Sequence, residues 1–82
     1  MDAHDEKLAR ELAQQDVGIR RVFEKYSRLK FEVDELSTRA HLTPEEEQNR
    51  REFQKQKLAE KDKIVRMLEE HRRDQAGVSS AS

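Results

Sequence analysis

The chain has 82 residues, with 17 Lys plus Arg against 18 Asp plus Glu, a formal charge of -1, 43% charged residues, 33% hydrophobic and 5% aromatic. That is room for one small domain whose modest core calls for very regular helix packing or a partner chain. Without cysteine, disulfides, zinc-thiolate sites and iron-sulfur clusters are excluded, and a near-zero charge argues against a dedicated nucleic-acid binder. No apolar run reaches bilayer length, and the acidic start at Asp2, Asp5 and Glu6 lacks the basic and apolar regions of a signal peptide, so a soluble, cytoplasmic chain is expected.

Two Gly and one Pro leave little of the chain punctuated by turns, and the wealth of Glu, Lys, Arg, Gln, Leu and Ala predicts helix throughout. Asp2, Asp5 and Glu6 fit a helix start, with Asp5 a candidate cap. Apolar residues then recur at alternating spacings of three and four: Leu8, Leu12, a polar gap at Gln15, then Ile19, Val22, Tyr26, Leu29, Val33, Leu36 and Ala40. One seam along a long helix fits this pattern, with residues 1–17 an extension that kinks or frays near Gly18.

The composition breaks over 37–43, the expected turn. Thr43, Pro44, Glu45, Glu46 and Glu47 then read as a helix start. The Thr43 hydroxyl accepts from a backbone N–H near Glu46, the Glu46 carboxylate reaches back, and proline at the first helical position loses no bond. The second helix carries Phe53, Ile64, Met67 and Leu68, with the stems of Lys57 and Lys61 filling the turns between them. Beyond Arg73 the sequence predicts a Gly77 stop and a disordered tail over 74–82.

Folding back at His41 pairs Leu36 with Glu47, Leu29 with Phe53, Tyr26 with Lys57, Val22 with Lys61 and Ile19 with Ile64. The expected fold is therefore all-α, an antiparallel, coiled-coil-like two-helix hairpin over 18–73. Such a pair has one contact face, yet Phe23, Phe31, Leu58 and Val65 fall off it. Leaving each wet forfeits about 1.5–3 kcal/mol, which predicts self-association, most simply a homodimer forming a four-helix bundle.

The text of the second helix, Lys57-Leu58-Ala59-Glu60-Lys61-Asp62-Lys63-Ile64 between Phe53 and Leu68, resembles the signature of the YdcH-like family, small bacterial proteins of unknown function. The spaced apolar positions Phe23, Tyr26, Leu29, Val33 and Leu36 and the segment Leu42-Thr43-Pro44-Glu45-Glu46-Glu47 fit the same pattern. The match spans Gly18 to Leu68. It departs from the family at Lys25-Tyr26 and Leu29-Lys30, where members typically carry Glu-His and Leu-Asp. What the resemblance implies is a helical hairpin that oligomerises, with no established activity.

For chemistry the sequence offers little. Lys61 and Asp62 read as a polar pin setting helix register or subunit pairing, against the alternative of two solvated charges. His4, His41 and His71 are too scattered for a metal-ligand set, and two helices form no cleft that would tune a carboxylate or a nucleophile. No cofactor and no enzymatic activity are expected. The doublets Arg20-Arg21, Arg50-Arg51 and Arg72-Arg73 sit among Glu24, Glu52, Glu60, Glu69 and Glu70 at ion-pair spacings, as on a mixed-charge surface. The alternative function is a small nucleic-acid-associated protein using an edge of Arg20, Arg21, Lys61 and Lys63. The leading expectation is a non-enzymatic interaction and oligomerisation module.

Overall fold

The computed structural model describes residues 2–81, and side chains as far as Gln75. The chain is all-helical, with no strand among the described residues, and runs α1 (Ala3–Ala13), α2 (Val17–Ser37) and α3 (Pro44–Ala81). No helix among them is long and apolar enough to cross a membrane. At ~1.5 Å per residue, α3 alone accounts for the long axis of a body 59 × 20 × 18 Å in extent. So slender a shape confines the core to a thin seam.

The first correction to the sequence reading is the separate α1. The seam through Leu8, Leu12 and Ile19 predicts one long helix, but the chain breaks at Asp16, two residues ahead of Gly18. Asp16 is extended, and its carboxylate accepts from the Ile19 N–H at 3.1 Å, so it caps a new helix. α1 begins in the same way, and its cap is Asp2 rather than Asp5: the Asp2 carboxylate accepts from the Asp5 N–H at 2.8 Å. That bond holds Asp2 below its ordinary carboxylate range.

The break lets α1 fold over α2 and α3. Ala9 is completely buried in one cluster with Tyr26, Ile64 and Leu68, and Leu8, Leu12, Val22 and Phe23 pack around it. Alanine at the contact allows a close approach of helix backbones. Asp5 Oδ1 meets Arg72 Nη2 at 2.8 Å and ties α1 to α3, an exposed pair contributing about 0–1 kcal/mol. The N-terminal segment is thus a helix docked on α2 and α3.

α2 presents Ile19, Tyr26, Leu29, Val33 and Leu36 as its buried stripe. α3 returns along it in the opposite direction. A methyl built on Gly18 would lie near Met67, Lys25 pairs with Glu60, and Arg39 pairs with Glu46. These partners sit about two positions further along α3 than a turn at His41 predicts. Ile64 and Leu68 are the buried apolar residues of α3, whereas nearer the turn its inward positions are the half-buried Arg50, Phe53, Gln54 and Lys57. There the stems of polar side chains cover the apolar stripe of α2.

At the turn, α2 closes with the Thr38 N–H donating to Asp34 O at 3.1 Å and the Thr38 hydroxyl to Glu35 O at 2.9 Å. α3 opens with the reciprocal box that its sequence predicts. The Glu46 N–H donates to Thr43 Oγ1 at 3.1 Å and the Thr43 N–H donates to Glu46 Oε1 at 3.0 Å. At the far end, α3 continues through Gly77 to Ala81. The expected tail is therefore helical in its backbone up to Ala81, beyond the stop read at Gly77, because glycine weakens a helix by only ~1 kcal/mol and no proline follows to end it. Side chains from residue 76 onward lie outside the described residues.

The box has a pH signature. The Thr43 N–H, then its hydroxyl and Arg39, hold Glu46 below the usual glutamate range, and Arg50 does the same for Glu47, helped by Arg51. A carboxylate depressed on folding adds stability at neutral pH that is lost as the pH falls through its folded value. Thermal midpoints should therefore hold through weak acid and fall below the ordinary glutamate range. Thr43→Ala should cost about 1 kcal/mol as a lost cap and flatten that acid limb. An unchanged acid limb in the variant would show that the box carries none of it.

Candidate functional site

Of the four apolar residues assigned to an outer face, the structure leaves two in solvent. Phe31 is 60% exposed and Leu58 46%. Phe31 follows the buried Leu29 by two residues and precedes the buried Val33 by two, so it projects from the side of α2 opposite the core. Leu58 lies two before the buried Glu60 and six before Ile64, which sets it on a flank of α3. The two therefore occupy different faces.

Phe23 and Val65 are half-buried instead. Phe23 belongs to the side of α2 that α1 covers. The Arg10 guanidinium stands 6.0 Å from its ring centroid, and the Tyr26 ring is 6.4 Å away at 42°. The sequence missed this because it gave no third helix to cover that side. Folding α1 back removes part of the apolar excess on which the dimer expectation rested.

The polar residue at the helix contact is Glu60, 4% exposed, and not the Lys61-Asp62 pair. Its Oε1 takes Lys25 Nζ from α2 at 3.3 Å and Lys63 Nζ from its own helix at 3.2 Å. Lys61 is half-buried and Asp62 exposed, and neither makes an ion pair among the described residues. The signal was present in the spacing: Glu60 precedes Ile64 by four and Leu68 by eight, on the same stripe of α3. A charge on an apolar stripe, with lysines in reach on both sides, is the pattern of a buried carboxylate held by cations at the rim.

The proposed basic edge is weaker than its sequence suggests. Arg20 and Arg21 are exposed, but Lys63 is engaged by Glu60 and the stem of Lys61 is half-buried. Elsewhere Asp16, Ile19, Met67, Glu70, His71 and Asp74 line an open recess where α2 begins. The Asp16 carboxylate there already serves the Ile19 N–H. Among the described residues no group of three His, Cys, Asp or Glu is placed to hold a metal ion. His4 and His41 are exposed and are not among the residues lining that recess. Compared with family models, curated proteins and solved structures, the chain matches none.

Proposed function

We propose that the chain is a non-enzymatic helical interaction module that self-associates, in its simplest form as a homodimer, through Phe31 and Leu58. One observation carries this reading: two large apolar side chains stay 60% and 46% exposed in a chain with so few buried ones. Their different faces suit a two-fold arrangement in which Phe31 of one protomer meets Leu58 of its partner, twice over. The antiparallel α2 and α3 of each protomer, a helical hairpin, then form a four-helix bundle. The resemblance to the YdcH-like family supports the same reading, since it implies a helical hairpin that oligomerises.

Energetics make the association weak. Full burial of such a side chain contributes about 1.5–3 kcal/mol, and both are already partly covered, so four per dimer contribute on the order of 3–6 kcal/mol. Association itself costs about 4–15 kcal/mol, and the interface must recover the difference through packing at its rim. The mass by light scattering should exceed 9.7 kDa and rise with concentration. Leu58→Glu or Phe31→Glu should return it toward that of one chain while helical circular dichroism persists. A constant 9.7 kDa up to about 1 mM, where even a binding energy of ~4 kcal/mol would register, overturns the proposal.

A further inference from the structure

The link between α1 and α2 is three residues, Gln14, Gln15 and Asp16, and it remains bonded as helix almost throughout. Gln14 keeps right-handed helical angles, φ -72 and ψ -23. The Gln15 N–H donates to Leu12 O at 3.0 Å, and the Asp16 N–H donates to the same oxygen at 2.8 Å, the four-residue bond of an α-helix. Asp16 O already accepts from the Arg20 N–H at 3.0 Å. The departure falls at Asp16, with φ -122 and ψ 114. No residue with positive φ and no proline stands in the link. A rotation centred on Asp16 would merge α1 and α2 into the single helix that the spacing of Leu8, Leu12, Ile19 and Val22 describes.

Opening that link lifts α1 from the chain and uncovers Tyr26, Ile64 and Leu68, which in the closed form make one buried cluster with Ala9. The surface so exposed fits one occupant, a copy of α1. We infer that α1, Ala3–Ala13, exchanges between two copies of this chain, with Asp16 straightened and each α1 docked on the Tyr26, Ile64 and Leu68 surface of the other protomer. The burial of Ala9, the Arg10 contact with Phe23 and the Asp5–Arg72 pair are all regained across the dimer. What separates the two states is then the link and the loss of free motion on association. A short link that must reverse the chain favours exchange, and a longer one favours the closed monomer. In the closed form Asp16 caps Ile19, and in the open form continuous helix replaces that cap. The exchange surface is distinct from Phe31 and Leu58 and stands without them.

The chain has no cysteine, so thiols introduced at Asp5 and Arg72 are unique. Asp5→Cys and Arg72→Cys chains, each carrying Phe31→Glu and Leu58→Glu to silence the outer face, are mixed, refolded together and treated with a short bismaleimide. Exchange yields a covalent product joining one chain of each kind. Asp16→Ala in both chains removes the cap that only the closed form uses, raising the exchanged population roughly fivefold per chain. The inference is overturned if a further chain carrying both Asp5→Cys and Arg72→Cys links only within itself and the mixture of single-cysteine chains gives no joined product even with Asp16→Ala. Because an exchanged pair is itself a dimer, cross-chain linking together with a mass above that of one chain in these Phe31→Glu and Leu58→Glu proteins supports exchange apart from the outer face, and a mass of one chain without cross-chain linking overturns it.

Discussion

Leu68→Ala is expected to lower the unfolding free energy by about 2–5 kcal/mol, the usual cost of removing a buried leucine and leaving its cavity. Leu68 is 1% exposed and, with Ile64 at 0%, is one of the two largest fully buried side chains. It sits where α1, α2 and α3 converge, against Ala9 and Tyr26, so no single helix shift can close the hole without parting another pair. A domain of this length has on the order of 4–12 kcal/mol of stability in all, and one methyl cluster is a large share of that. The urea midpoint should fall sharply with an unchanged slope, and amides of α1 should lose exchange protection first. Leu58→Ala, at a site 46% exposed, should cost less than about 1 kcal/mol. Equal costs at the two leucines would mean that the three-helix junction is not the core.

Removing both lysines around Glu60 should cost more than removing Glu60 itself. The Glu60 side chain is 6% exposed, while Lys25 and Lys63 are 54% and 56% exposed. Lys25→Met with Lys63→Met strands a carboxylate among apolar neighbours. For a fully enclosed pair that penalty is about 3–5 kcal/mol, and solvent access to the lysines here reduces it to about 1–3 kcal/mol. Glu60→Met leaves two lysines that remain hydrated at the rim and fills the stripe of Ile64 and Leu68 with a side chain of similar volume. Its stability should lie within about 1 kcal/mol of the parent, above or below. Denaturant titrations of the two variants decide the matter by rank: a Glu60→Met chain less stable than the double lysine variant would remove Glu60 from the helix contact.

That asymmetry also explains why sequence placed the polar pin one residue late. Lys61 and Asp62 attract notice as adjacent opposite charges, but adjacent positions on a helix point about 100° apart, and charge pairs of that kind remain in solvent. Position on the buried stripe, four residues before Ile64, singles out Glu60. Phe23 shows the complementary limit. Whether its side of α2 is wet depends on a segment ten or more residues upstream folding over it.

Local chemistry was enough for the helical class, for the Thr43 and Glu46 box that opens α3, and for the stripe Ile19, Tyr26, Leu29, Val33 and Leu36, because caps and periodicity act between residues a few positions apart. It did not decide whether the chain through Asp16 runs straight or doubles back. Leu8, Leu12 and Ile19 keep their spacing in both cases, and the Asp16 cap, at about 1 kcal/mol, is comparable to the helix it interrupts. The burial of Ala9 against Tyr26, Ile64 and Leu68 tips that balance, since contact between helices distant in sequence gains from apolar surface removed from water, a quantity that exists only once all three helices are in place.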